Sequence, residues 1–288
     1  MGVSNSRDDK AFSLDVSVRD LVEFVLRRGD LRSGTSFTSP SRALEGTRGH
    51  QKLQSSRDDH YRAEVALKWV TVRPTFTLTL RGRIDGVREG PEEIFLEEIK
   101  TITGEWSEKP SDLHWAQLRI YGGIGNRLNP SKPLHLRLTY FHLESDTEYC
   151  FDEKKTPSFV ESFLQEVLEK YLKWLARHVA RTVQRNATIE NLTFPFSKLR
   201  AGQASMLEAV RNLHLKGGAM MVEAPTGIGK TMASLFPSIK ALAGEHVRQL
   251  MVVLARTPGQ TVFQEALKLL EQKGAKVKTL SMLARGKV

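Results

Sequence analysis

The chain has 288 residues, a length typical of two domains, each with enough chain for a buried core. Hydrophobic residues make up 40% and charged residues 26%, as in soluble globular proteins, and every apolar run is shorter than the ~20 residues of a membrane helix. Cys150 is the only cysteine, which excludes an internal disulfide and a cysteine-bound metal cluster within this chain, and predicts a reducing, cytoplasmic location.

The positive charge is concentrated in the last third of the chain. The whole sequence carries 43 Lys and Arg against 33 Asp and Glu, a net charge of +10. Residues 196–288 hold 14 Lys and Arg against 5 Glu, or +9, which leaves +1 for residues 1–195. This distribution predicts a polyanionic partner such as nucleic acid for the last third. A basic surface without a partner is the alternative.

The first 54 residues contain two helical patterns after a polar start. Residues 1–11 are polar and are expected to be frayed. Ser17 and Asp20 are spaced as a capping box, which predicts a helix from there. A second helical pattern spans residues 45–54 and has His50 near its start. A lone histidine is more often structural than a ligand, so His50 needs support from elsewhere.

Residues 64–101 alternate with a period of two, which predicts strands over 64–70, 76–87 and 93–101. The turn at 88–92 joins the last two as a hairpin. Glu98 and Lys100 project from one face, and the hairpin brings Asp85 beside them. Two carboxylates can hold Mg²⁺ or Mn²⁺ for phosphodiester hydrolysis, and Lys100 can orient a water molecule. A surface hairpin with cross-strand ion pairs is the alternative.

The remainder of this region predicts a helix, a hairpin and a long helix. The helix covers residues 112–124 and carries Gln117 and Tyr121 on one face. The hairpin, over 134–143 and 147–151, completes a mixed sheet. The long helix spans residues 158–183, and residues 185–195 are expected to be a linker.

Four motifs in this order resemble RecB-type nucleases of the PD-(D/E)XK superfamily. They are the glycines before His50, Gly82-Arg83-Ile84-Asp85, Glu98-Ile99-Lys100, and Gln117 with Tyr121. The resemblance implies that Asp85, Glu98 and Lys100 are catalytic, that His50, Asp85 and Glu98 bind the metal, and that Gln117 and Tyr121 contact the DNA backbone. Some members carry a cysteine-bound iron–sulfur cluster in this domain, which the single cysteine excludes here.

A phosphate-binding loop follows in the second region. Val222 to Thr231 lies between a predicted buried strand, 219–222, and a predicted helix, 232–242, as the motif requires. Backbone N–H groups of such a loop bind phosphates, the lysine reaches the β/γ oxygens, and the threonine hydroxyl binds Mg²⁺. Ala224 replaces the motif's first glycine, and a glycine-rich turn is the alternative. The predicted nucleotide-binding residues here are Thr226, Gly227, Ile228, Gly229, Lys230 and Thr231, of which Thr231 is also a metal ligand.

Further motifs around this loop resemble the DinG/XPD branch of superfamily 2 helicases. They are Arg200-Ala201-Gly202-Gln203 and a predicted strand at 250–254 followed by Arg256 and Thr257. The resemblance implies that Arg200 and Gln203 bind the nucleotide and that Arg256 and Thr257 contact single-stranded DNA. No aspartate follows Asp152, so the acidic partner of the loop is missing and the chain looks truncated. An iron–sulfur cluster is expected only in a full-length parent.

The sequence therefore predicts an α/β protein made of a mixed-sheet PD-(D/E)XK nuclease domain (1–184), a linker (185–195) and an incomplete RecA-like P-loop domain (196–288). The expected function is that of an ATP-dependent DNA helicase and nuclease in DNA repair or processing. It would act on single-stranded or branched DNA and use ATP with Mg²⁺. For this chain alone we expect metal-dependent cleavage without unwinding. A DNA-binding module with an inactive nuclease site and an RNA-directed or signalling P-loop protein are the alternatives.

Overall fold

The computed structural model describes residues 2–5, 12–29, 40–106, 109–128, 132–244, 247–255 and 257–282. The chain divides into two compact units, Met1–Ala176 and Arg177–Val288. The strands are β1 Gly2–Asn5, β2 Phe12–Ser17, β3 Arg62–Arg73, β4 Phe76–Glu89, β5 Ile94–Ile102, β6 Leu134–His142 and β7 Thr147–Lys155. The helices are α1 Val18–Leu26, α2 Pro40–Ser55, α3 Asp112–Leu128, α4 Pro157–Glu190, α5 Gln203–Lys216, α6 Lys230–Ala241 and α7 Thr257–Gln272.

The first unit is built on a mixed sheet with the strand order β1-β2-β4-β5-β6-β7, and β3 pairs with β4. The pairs β2/β4 and β5/β6 are parallel, while β3/β4, β4/β5 and β6/β7 are antiparallel. Both predicted hairpins are present, and the prediction of a mixed sheet is confirmed. Residues 2–5 form an edge strand, so the expectation of a frayed start was wrong for them.

The core of this unit follows from the alternation of apolar residues along its strands. Leu78 and Leu80 on β4, and Leu136 and Leu138 on β6, are fully buried, because side chains two apart share one face of a sheet. Helix α1 begins as predicted, since the Ser17 hydroxyl accepts a hydrogen bond from the Asp20 amide at 3.0 Å.

Helix α2 comes close to the sheet at a glycine. A Cβ atom placed on Gly49 would lie 2.6 Å from Leu143 Cδ2 and 3.1 Å from Thr101 Cγ2, so a larger residue would push the helix away. The next residue is His50. The glycine thus determines how deeply the imidazole sits beside the strands.

The core of the second unit includes the end of α4. Ile189 and Leu192 are buried with residues of α6 and α7. Lys240 Nζ donates hydrogen bonds to the carbonyls of Ile189 (2.9 Å) and Glu190 (2.8 Å), which would otherwise be unpaired at the helix end. The predicted linker, 185–195, is therefore helical up to Glu190 and contributes to this core, and the division between the units falls within α4.

Two strands expected in the second unit are not observed there. Residues 219–222 and 250–254 form no ladder, and no described residue of this unit is assigned to a strand. Met221 is 99% exposed and Val253 is 84% exposed. The prediction was wrong because an apolar run becomes a strand only with a hydrogen-bonded neighbour, and no described residue pairs with these segments. Among the described residues, no helix combines the length and apolar character needed to cross a membrane.

Candidate functional site

Asp85 lies where the pairing of β4 with β5 stops. The ladder runs from Glu89↔Ile94 to Gly86↔Glu97, so Asp85 and Glu98 come directly after its last pair. The amide of Ile99 donates a 2.7 Å hydrogen bond to Asp85 Oδ2, which holds the carboxylate between the diverging strands. The convergence predicted for Asp85 and Glu98 therefore arises from a fork in the sheet.

Glu98 is almost fully buried, and its two carboxylate oxygens have different surroundings. Oε1 accepts hydrogen bonds from Lys100 Nζ at 2.5 Å and from Gln117 Nε2 at 2.7 Å. Oε2 is buried and has no hydrogen-bond partner among the described residues. Burial raises the pKa of Glu98 to about 7, opposed by the charge of Lys100 and reinforced by that of Asp85. A buried carboxylate oxygen without a donor fits a cation, which would stabilise the charged form.

Gln117 and Tyr121 support Glu98 from helix α3. Gln117 Nε2 lies 3.2 Å from the Tyr121 hydroxyl as well as beside Glu98, and both side chains are buried. Burial also raises the pKa of Tyr121, so the phenol stays protonated. Their predicted contact with the DNA backbone stays a prediction. In the structure, Gln117 holds the carboxylate of Glu98, and Tyr121 contacts Gln117.

Gly82 of the Gly-Arg-Ile-Asp motif makes room for Tyr121. A Cβ atom at this position would lie 2.3 Å from Tyr121 Cε1 and 3.0 Å from Val18 Cγ2. The tyrosine ring therefore passes over β4 only where the strand has no side chain. This explains in physical terms why a glycine three residues before Asp85 belongs to the site.

His50 reaches Asp85 from helix α2. Its Nδ1 lies 3.6 Å from Asp85 Oδ1, too far for a hydrogen bond. Ligand atoms of His50, Asp85 and Glu64 all lie within 4.8 Å of one another, and Glu98 is not a member of that group of three. Glu64 was not predicted as a site residue, because its alternating pattern indicated only a strand.

Glu97, next to Glu98, projects from the opposite face of β5 and has a structural role. Its carboxylate is fully buried and accepts hydrogen bonds from Arg57 Nη2 at 2.7 Å and from the Thr139 hydroxyl at 2.5 Å. The arginine neutralises the buried charge, and the hydroxyl supplies a further hydrogen bond to the carboxylate. Two consecutive residues of β5 thus carry a buried carboxylate that is paired, Glu97, and one whose Oε2 has no partner among the described residues, Glu98.

The phosphate-binding loop of the second unit has left-handed glycines and leads directly into a helix. Gly227 and Gly229 have φ values of 88° and 83°, and Gly229 caps the N-terminus of α6. Lys230 Nζ donates to the carbonyls of Ala224 (2.7 Å) and Pro225 (3.0 Å). The helix start and the ammonium thus meet at the loop, which is the arrangement that binds an anion.

Arg200 and Gln203 pack onto this loop. Arg200 donates to the carbonyl of Gly227, and Gln203 Nε2 lies 3.5 Å from the carbonyl of Gly229. Gln203 is buried and also accepts from the Arg200 amide at 3.1 Å. Of the predicted DNA contacts, Arg256 lies outside the described residues, and Thr257 is the first residue of α7.

Residues 200–286 match the family model described as DEAD/DEAH box helicase. The match supports a superfamily 2 helicase portion in the second unit. A domain of this family implies ATP with Mg²⁺ and a nucleic-acid partner. The helicase, ATP-binding and nucleotide-binding predictions are confirmed at this level.

Two further comparisons searched solved structures and curated sequences. A solved structure of a protein called SSO0001 is similar to it, with 18% identity and a TM-score of 0.35, over 58% of this chain and 78% of that one. A comparison with curated protein sequences found no match.

Proposed function

We propose that the first unit is a divalent-cation-dependent DNA nuclease of the RecB-like PD-(D/E)XK type. It would be attached to a helicase portion of the DinG/XPD type and act in DNA repair or processing. One observation carries this proposal: Asp85 and Glu98 meet at the strand fork, and one buried oxygen of Glu98 has no donor in the described part of the chain. A carboxylate pair beside a lysine is the donor set that divalent-metal phosphodiesterases need.

The roles of the side chains follow from their contacts. His50, Asp85 and Glu98 would hold Mg²⁺ or Mn²⁺, which supplies Lewis acidity to a phosphodiester and lowers the pKa of a bound water. Lys100 neutralises Glu98 Oε1, and its partly exposed ammonium can also donate to a phosphate oxygen or orient a water. Gln117 fixes the rotamer of Glu98 through its 2.7 Å hydrogen bond.

In the second unit, we propose that the loop binds the phosphates of ATP through Gly227, Gly229, Lys230 and Thr231. The left-handed glycines and the start of α6 support this role. Lys230 would exchange its two loop carbonyls for phosphate oxygens, because an ammonium pairs more strongly with an anion than with a neutral carbonyl.

The nuclease proposal is tested with labelled single-stranded DNA and Mn²⁺. We expect the wild type to cleave, and Asp85→Asn and Lys100→Ala to cleave more slowly by on the order of 10²-fold or more. Asp15→Asn and Lys154→Ala are matched controls, because both residues are exposed ion-pair partners on the same sheet. These controls should cleave like the wild type.

Three outcomes separate the alternatives. Equal cleavage by all variants would contradict the nuclease assignment. Binding of DNA without cleavage in any divalent metal would instead identify a DNA-binding module with an inactive site. Faster cleavage of an RNA of the same sequence would replace DNA by RNA as the substrate, a distinction that salt-dependent binding alone does not make.

A further inference from the structure

The pairing of β4 is interrupted at Asp85 on its β3 side as well as on its β5 side, and Glu64 lies at the interruption in β3. The β3/β4 register passes from Ala63↔Gly86 to Val65↔Ile84, so Glu64 stands opposite Asp85 without being paired to it. Its backbone is left-handed, with φ 55°, which takes it out of the ladder. Asp85 thus has a broken ladder on both sides, facing Glu98 on β5 and Glu64 on β3.

Gln54 of helix α2 bridges this interruption. Its Nε2 donates to the main-chain carbonyl of Asp85 at 3.0 Å and to Glu64 Oε1 at 3.1 Å. The first bond occupies a carbonyl that the missing ladder pair leaves open, and the second holds the glutamate carboxylate on the side of Asp85. Arg83 Nη1 lies 3.5 Å from the other oxygen, Oε2.

The resulting group has the composition and spacing of a cation site. His50, Glu64 and Asp85 each offer one ligand atom, and all three atoms lie within 4.8 Å of one another. In an octahedral site with bonds of about 2.1 Å, two ligands lie roughly 3.0–4.2 Å apart. The 3.6 Å between His50 Nδ1 and Asp85 Oδ1 falls in that range. Glu98 lies on the strand that flanks the same aspartate on its other side, and its buried Oε2 has no hydrogen-bond partner among the described residues, a separate observation that also fits a cation at Asp85.

We infer that Glu64 is a ligand of the divalent cation, together with His50 and Asp85. This inference rests on the proposed function for the presence of a metal, and adds a ligand that the nuclease motifs do not contain. Its chemical consequence is a third anionic oxygen donor beside Asp85 and Glu98, which favours hard cations such as Mn²⁺ and Mg²⁺ over softer ones.

The test is calorimetric titration of the full chain with MnCl₂, without nucleotide, so that the phosphate-binding loop is not loaded. We expect Glu64→Gln to weaken Mn²⁺ binding at least tenfold and Asp85→Asn to abolish it. Glu89→Gln is the matched control, because Glu89 is an exposed glutamate on the neighbouring strand that is also paired with an arginine, Arg62. It should bind like the wild type, and the Mn²⁺-induced rise in melting temperature should follow the same order.

The outcomes distinguish this inference from the proposed function. Unchanged Mn²⁺ affinity in Glu64→Gln, with binding lost in Asp85→Asn, overturns the role of Glu64 and leaves the nuclease proposal standing. Weakened binding in Glu64→Gln without any DNA cleavage by the wild type supports Glu64 as a ligand and contradicts the nuclease. Absence of Mn²⁺ binding in the wild type overturns both.

Discussion

The two units differ in how their apolar segments are used. In the first, strands rich in Leu and Ile are paired on a mixed sheet, and residues such as Leu138 are fully buried. In the second, segments of similar composition, such as 251–254, are exposed and form no ladder with any described residue. The helices of the second unit nevertheless pack around a core at Ile189, Met232 and Leu270. Apolar composition therefore drives helix packing locally, whereas a sheet also needs a neighbouring strand.

Hydrogen exchange would show the largest contrast between the units. We expect the amide of Leu138, in the middle of the sheet, to exchange slower than that of Val253 by about 10³-fold or more after correction for intrinsic rates. The reason is that exchange at Leu138 requires the sheet to open, while Val253 is 84% exposed and lies outside any helix or strand of the described residues. Comparable protection at both positions would mean that residues 250–254 are paired in solution.

Truncating one leucine in each unit to alanine would compare the energetic contribution of a buried side chain with that of an exposed one. Leu138→Ala removes a fully buried side chain and should lower the free energy of unfolding by about 2–5 kcal/mol. Leu280→Ala, at a position 82% exposed, should change it by less than about 0.5 kcal/mol. Denaturant unfolding followed by circular dichroism measures both. A large loss at Leu280 would show that its segment is packed.

The pH dependence of stability should give the smallest effect. Burial lowers the pKa of His114 to about 4, aided by the charges of Lys100 and Arg19. Its Nδ1 lies 2.8 Å from the Tyr140 hydroxyl. That hydroxyl accepts a hydrogen bond from the Ser111 amide, so its own proton is available to donate to the imidazole nitrogen. The folded state therefore holds a neutral imidazole that the unfolded chain protonates below about pH 6.5.

Because the unfolded state then binds more protons, the stability supplied by His114 is present above about pH 6.5 and is lost as the pH falls toward 4. We expect the difference in free energy of unfolding between the wild type and His114→Gln to shrink over this range, by less than about 1.4 kcal/mol per pH unit. The raised pKa of Glu98 acts in the opposite direction, but it is common to both proteins. Parallel curves would contradict a neutral, half-buried histidine in the folded state.

The parts of the site that follow short-range rules were predictable from the sequence. Alternation along a strand placed Glu98 and Lys100 on one face, and the turn brought Asp85 beside them, as the structure shows. The phosphate-binding loop was also recognisable, because its glycines, lysine and helix start are contiguous. In each case the pattern that predicts the structure spans only a few neighbouring residues.

The parts that depend on pairing between distant segments were not predictable. Glu64 meets Asp85 through strand register and a left-handed backbone, neither of which an alternating pattern reveals. The hydrogen bond between Gln117 and Glu98 depends on how α3 packs on the sheet, which the spacing of Gln117 and Tyr121 does not specify. The strand predicted at 250–254 required a neighbour that an apolar run does not specify.

The left-handed backbone of Glu64 also sets a trade-off between folding and chemistry. A side chain at φ 55° costs on the order of 1 kcal/mol relative to glycine, which adopts this conformation without strain. Replacing Glu64 with glycine would thus relieve the backbone strain and remove the carboxylate in a single substitution. An engineer who considered backbone strain alone would choose that change, and would remove a charge facing Asp85 together with the hydrogen bond that it accepts from Gln54.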